Sequence, residues 1–126
     1  MREFVFDFCR KKFGTEPDYP FTKDFNTAVL RHGDTKKWYG IIINVDKKVF
    51  GFDSGERTDI LNVKADPLMM GSFLAEKGVF PAYHMSKSSW VSVLLDGTCE
   101  KELIEVLLNI SYRLTDKKNK RIMSRL

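Results

Sequence analysis

Residues 38–67 read WYGIIINVDKKVFGFDSGERTDILNVKADP, and this stretch decides the fold. Residues 38–44 open with two aromatics and hold three consecutive Ile, side chains that suit a pleated, half-buried surface. Asp46-Lys47 predicts a tight turn into a short strand over residues 49–52, Val-Phe-Gly-Phe. Asp53-Ser54-Gly55-Glu56 predicts a second turn, leading into a strand over residues 58–64. Asp66-Pro67 then opens a helix. Asp is a good N-cap, and Pro suits the first helical position, where its missing N–H would have no partner. Short strands joined by short turns imply an antiparallel meander.

Upstream, residues 25–31 add another strand around Ala28, Val29 and Leu30, followed by the turn residues His32-Gly33-Asp34-Thr35. Pro17, Asp18 and Pro20 make residues 15–20 a loop. Phe4 with Phe8 and Val5 with Cys9 follow helical spacing, which predicts a helix over residues 2–12 that Gly14 stops. Downstream, Met69, Met70, Phe73 and Leu74 form the apolar face of the helix begun at Pro67, and Gly78 ends it. Residues 79–83 and 89–95 read as two more strands, with Asp96-Gly97 as a turn. A last helix starts near Cys99, striped by Leu103, Leu107, Ile110 and Leu114. Its acidic residues sit early and its basic residues late, as the helix dipole favours. The expected order is αββββαββα, an α+β two-layer sandwich with helices on one face of an antiparallel sheet.

A chain of 126 residues and 14.6 kDa is expected to form a single domain, with a basic tail from about residue 115. No apolar run reaches the ~18 residues of a membrane span. At the N-terminus, Asp7, Arg10, Lys11 and Lys12 interrupt the apolar residues before a signal-peptide core could form, so a cytoplasmic protein is the expectation. Cys9 and Cys99 sit in no metal-ligand spacing, and buried free thiols are expected rather than a disulfide or a zinc site. The net charge of +4 is unevenly placed. Residues 113–126 hold six basic residues against Asp116, a net +5; residues 1–112 hold fifteen basic and sixteen acidic residues, a net −1. The basic isoelectric point therefore belongs to Arg113 and the tail residues Lys117, Lys118, Lys120, Arg121 and Arg125, and the body is near neutral.

Candidate functional residues concentrate between Asn62 and Trp90. Asn62 and Lys64 share a strand face by their spacing of two. His84 offers a ligand contact or a proton donor, against a histidine held by backbone partners. Lys64 and Lys87 offer point charges for a phosphate or carboxylate, against solvated lysines at a sheet edge. Trp38, Tyr83 and Trp90 offer faces for stacking bases, against packing under the helices. The tail offers phosphate contacts by charge alone, against a solvated helix end. Asp53, Glu56 and Asp59 gather around one hairpin and could bind a divalent cation weakly, although turns recruit Asp for backbone hydrogen bonds. No nucleophile–base–acid set, Gly-x-Gly-x-x-Gly pattern or phosphate loop is present. No catalytic residue, cofactor or metal is expected.

Asp18-Tyr19-Pro20-Phe21, Lys37-Trp38-Tyr39, and Asn62-Val63-Lys64 followed by Asp66-Pro67 form a recognisable set. Pro81-Ala82-Tyr83-His84-Met85 with Lys87 and Trp90, Leu95-Asp96-Gly97 and Ser111-Tyr112 complete it. In these residues nearly the whole chain resembles the MmcQ/YjbR family of small bacterial proteins. Two positions depart from that pattern: Ala65 stands where many relatives have Cys, and Ser86 where Asn is usual. The resemblance implies a frataxin-like, double-wing fold and a DNA-binding role. The acidic first helix by which frataxins hold iron is not matched, since Glu3 and Asp7 lie beside Arg2, Arg10, Lys11 and Lys12. The expectation is a small non-enzymatic protein that binds DNA weakly or non-specifically. Its contacts would be Lys37, Trp38, Lys64, His84, Lys87, the tail, and a wing carrying Lys47 and Lys48. The alternative is a module for a small anionic ligand or a protein partner, with a pocket of Asn62, Lys64, Tyr83, His84, Lys87 and Trp90.

Overall fold

A computed structural model of the chain describes residues 1–53 and 55–116. The tail residues Lys117, Lys118, Lys120, Arg121 and Arg125 lie outside the described residues. Helix α1 (Arg2–Phe13) is followed by strands β1 (Ala28–Arg31), β2 (Trp38–Asp46) and β3 (Arg57–Lys64). A 3-10 turn (Pro67–Met69) leads into the short helix α2 (Met70–Leu74), then β4 (Val79–Pro81), β5 (Trp90–Leu94) and α3 (Lys101–Leu114). The strands form one antiparallel sheet in the order β1-β2-β3-β5-β4. This is the expected α+β architecture with one strand fewer.

The missing strand is that expected at residues 49–52. Residues Lys47–Phe50 form a 3-10 turn instead, capped by the Asp46 carboxylate, which accepts from the Lys48 N–H. Gly51 ends it at φ 88°, a left-handed conformation that favours glycine. Pairing of β2 with β3 already runs out to Asp46 and Arg57, so residues 47–56 close the hairpin rather than adding a strand. The alternation of Val49, Phe50 and Phe52 serves another purpose. Phe50 and Phe52 cross the sheet and pack on Phe80, with ring centroids 5.0 and 5.8 Å away.

The period of two along the strands divides the sheet into unequal faces. Ala28, Leu30, Ile42, Leu61, Val63, Val91 and Val93 point to the helices and form the main core with Val5, Cys9, Phe73, Ile104, Leu107 and Leu108. On the helix-free face Ile60, Leu94 and Val45 make a small cluster, covered in part by Ile43, Phe50, Phe80 and Tyr83.

Register shifts between Leu30 and Arg31, so Tyr39 has no strand partner in β1. Its fully buried ring turns to the helix side, within an aromatic group of Phe13, His32 and Tyr112. Ser111 of α3 bridges the end of the β2–β3 ladder: its hydroxyl donates to the Tyr39 carbonyl and accepts from the Lys64 N–H.

Gly78 joins α2 to β4 at φ 81°, and a Cβ there would lie 2.9 Å from the Cys99 backbone nitrogen. Gly78→Ala is expected to cost roughly 1–3 kcal/mol from backbone strain alone. Chemical denaturation should show that loss, whereas an alanine at Gly33, which has nothing within 4 Å of its position, should be much milder.

Candidate functional site

A groove of about 600 Å³ runs along the edge of β2 beyond the end of β1, walled by Ile43, Tyr83 and His84 from the helix-free side and by Asn44 and Arg57 from the other, with Phe21, Lys23, Asp24, Thr27, Asp46 and Val49 among its remaining lining. Its floor is sheet, and its rim comes from the loop before β1, the turn after β2 and the loop after β4.

Tyr83 and His84 form one wall. Their rings stack at 3.9 Å with an interplanar angle of 15°, the imidazole exposed and the phenol half-buried. His84 adopts φ 58°, a left-handed conformation that costs a non-glycine residue energy and needs support from its surroundings. The support lies directly behind. Asn62 of β3 and Ser92 of β5 are cross-strand partners, each fully buried on the otherwise apolar helix-free face. The Asn62 Nδ2 donates to the Tyr83 carbonyl at 2.9 Å, and the Ser92 hydroxyl donates to Asn62 Oδ1. The Tyr83 N–H in turn donates to Ser92 Oγ at 2.8 Å. Every polar group in this loop of bonds is answered, as burial requires. Asn62 is therefore not the ligand contact the sequence suggested. It has no exposed surface, and it positions the two rings that do reach the groove.

Arg57 reaches the groove from the helix side of the sheet. Its Nε donates to Asn44 Oδ1 at 2.7 Å and its Nη2 to the Asn44 carbonyl at 3.0 Å. Asn44 is fixed in turn by Asp59, which holds a two-point ion pair with Arg2 at 2.8 and 2.9 Å. Hydrogen bonding from Arg2 holds the Asp59 carboxyl below the usual carboxylate range, outweighing burial. Arg57 is thus aimed by a chain of contacts, yet makes no ion pair with a carboxylate among the described residues. Two carboxylates share the groove. The Thr27 hydroxyl and the Asn26 and Thr27 N–H groups all bind Asp24 and lower its pKa. Asp46 caps the turn that follows β2.

The other expected contacts are dispersed. Trp38 is half-buried, edge-on to Phe21 at 6.1 Å and beneath the Arg31 guanidinium at 5.5 Å, so it braces the groove through Phe21. Lys64 faces Trp90 across β3 and β5, and Lys87 is exposed in the loop before β5; none of these lines the groove. Lys37 precedes β2, where its carbonyl accepts from the His32 N–H. Lys47, expected as a wing contact, is engaged within the protein. Its ammonium pairs with Asp96 at 3.0 Å and Glu56 at 3.3 Å and is only 17% exposed. The acidic hairpin is engaged internally too. Asp59 is bound to Arg2 and Glu56 to Lys47, and among the described residues no group of three His, Cys, Asp or Glu is placed to hold a metal. Cys9 and Cys99 are buried free thiols, each pushed up by burial to about 11 and so uncharged at neutral pH.

His32, which read as turn chemistry, is 2% exposed and stacks on Tyr112 at 4.1 Å. Its Nε2 lies 2.8 Å from Thr115 Oγ1, and that hydroxyl donates to the Ser111 carbonyl, so Nε2 carries the hydrogen. His32 thereby ties the β1–β2 turn to the end of α3. Burial pushes its pKa below 6.5, outweighing the nearby Asp116 and Asp34 carboxylates. The folded state therefore binds fewer protons than the unfolded state as pH falls below 6.5, and stability falls with it. Melting temperatures at pH 7.5 and 5.5 should show this loss in the parent chain and a smaller one in His32→Gln.

The missed residues differ in legibility. Ser92 was visible as a polar interruption in a buried strand; Arg57 and His32 carried no signal that separates them from surface charge and turn chemistry.

An antiparallel sheet with helices on one face is an arrangement shared with known proteins. The YjbR family model matches residues 10–114, and the chain belongs to that family. It is 40% identical over 114 residues to the uncharacterized protein YyaQ of Bacillus subtilis (strain 168), covering 90% of this chain and 97% of that one. A crystal structure of a Pseudomonas syringae protein superposes with a TM-score of 0.88 at 35% identity, covering 92% of this chain and 99% of the other. Deinococcus radiodurans protein DR2400, with domain DUF419, superposes with a TM-score of 0.68 at 28% identity, covering 94% and 80%. No helix among the described residues is long and apolar enough to cross a membrane.

Proposed function

We propose that the protein is a small, non-enzymatic, cytoplasmic binding protein whose site is the groove along the edge of β2, where it takes an anionic ligand or partner. The stacked Tyr83–His84 pair carries this reading. It is exposed, strained, and held in place by a buried polar network that serves no other visible purpose. Among the described residues no carboxylate, hydroxyl or thiol is hydrogen-bonded to His84, which supports binding rather than proton transfer.

DNA binding, which the family resemblance implies, is the second reading, and the basic residues from Arg113 onward favour it. The near-neutral body and the paired Lys47 give it little support elsewhere.

Fluorescence anisotropy of a labelled duplex and a labelled single strand separates the two. The full chain, a chain ending at Asp116 and His84→Ala would be compared at low and near-physiological salt. Binding through the tail falls steeply with salt, survives His84→Ala and disappears with the truncation. Binding through the groove survives truncation and is lost in His84→Ala. If His84→Ala leaves every interaction of the full chain intact, the groove reading is wrong.

A further inference from the structure

The groove combines a flat aromatic surface with a fixed cation, and that pairing specifies a ligand class. We propose that it binds a nucleotide, with the base laid on the Tyr83–His84 stack and the phosphate on Arg57; this rests on the groove being the binding site.

The flat surface is built for a π-face. The imidazole of His84 is the outer leaf of its stack, exposed on the rim of the groove. Phe21 and Val49, both exposed large apolar side chains, stand among the other walls. Stacking of this kind accepts any base, because every base has a π-face.

The cation is built for an oxyanion. Arg57 spends part of its donor set on Asn44, which fixes the plane of the guanidinium, and among the described residues the remaining N–H groups have no carboxylate to satisfy them. The other described arginines in the same sheet region are neutralised: Arg2 by Asp59 and Arg31 by Asp18. Lys23 adds a second cation to the lining. Asp24 and Asp46 are engaged by local N–H and hydroxyl donors, so their charge is partly met within the protein. An open groove of about 600 Å³ matches the size of one small ligand, not a duplex.

A free mononucleotide and a nucleotide within a single strand offer the same base-plus-phosphate chemistry. Amide chemical shifts of the full chain, titrated with deoxyadenosine monophosphate, deoxyadenosine, deoxyribose phosphate and a short oligodeoxyadenylate, test the proposal and tell the sources apart. The monophosphate should move Tyr83, His84 and Arg57 and saturate. The nucleoside and the sugar phosphate should each bind roughly tenfold more weakly, and His84→Ala and Arg57→Met should each weaken the monophosphate by a similar factor. An oligonucleotide that binds the same residues more tightly than the monophosphate identifies a strand as the source; equal affinity identifies the free nucleotide. An anilinonaphthalene sulfonate, an aromatic anion without base or sugar, serves as the control. If it shifts the groove residues and the monophosphate does not, the nucleotide assignment is overturned while the groove remains the site. If neither does, both are overturned.

Discussion

Asn62→Ala should lower the unfolding free energy by about 2–5 kcal/mol, because it strands the Tyr83 carbonyl and disturbs the Ser92 hydroxyl at roughly 1–3 kcal/mol each. For a chain of this size that is a drop in Tm on the order of 10 °C. Urea unfolding should show the midpoint fall with the slope unchanged, as a loss of stability without a change in compactness requires. The same substitution frees the Tyr83–His84 loop, so ligand binding at the groove should weaken even at temperatures where the variant is folded. A loss under about 0.5 kcal/mol, the range of ordinary surface changes, would mean that water enters behind the loop and that Asn62 positions nothing.

Ser111→Ala should have an effect of similar size, about 2–4 kcal/mol, for a related reason. One fully buried hydroxyl joins three elements: it belongs to α3, donates to the β2 carbonyl of Tyr39 and accepts from the β3 N–H of Lys64. Both backbone groups lie just past Gly40 and Val63, where the β2–β3 ladder ends, so neither has an obvious substitute partner. Hydrogen exchange at the Lys64 amide reads this contact directly. It should speed up in Ser111→Ala relative to its β3 neighbours; unchanged protection at that amide would remove the hydroxyl from the account.

The two predictions show where the family's polar residues act. Asn62 and Ser111 were conspicuous in the sequence as parts of recognisable motifs, and both turn out to serve backbone groups rather than a ligand. Asp96 does likewise by accepting from the Thr98 N–H, and it also pairs with Lys47. Although burial pushes the Asp96 carboxyl up, hydrogen bonds from Thr98 and from Lys47 outweigh it and keep the pKa below the usual range. The residues on the groove itself, Phe21, Val49, Arg57 and the Tyr83–His84 pair, come from four separated segments.

The sequence by itself determined the fold class and most of the elements. Helical spacing located α1 and α3, the Asp66-Pro67 pair located the turn into α2, and β-branched runs located β2 and β3; each of these signals is local, set by side chains within a few residues. It also singled out Tyr83 and His84. What it could not decide was how local propensity would be spent. Val49, Phe50 and Phe52 read like a strand, yet with β2 already paired to β3 Phe50 serves as a cover over Ile60 and Leu94 and Phe52 packs on Phe80. Asn62 and Lys64 share a face by spacing, but only the approach of Ser92 and the Tyr83 backbone made one of them a buried brace and left the other beside Trp90. Lys47 and Arg57 are equally basic on paper. Asp96, some fifty residues along the chain from Lys47, neutralises the first, while the second is left charged on the groove. Partners of this kind are supplied by the tertiary structure, because hydrogen bonds and ion pairs depend on distance in space and not along the chain.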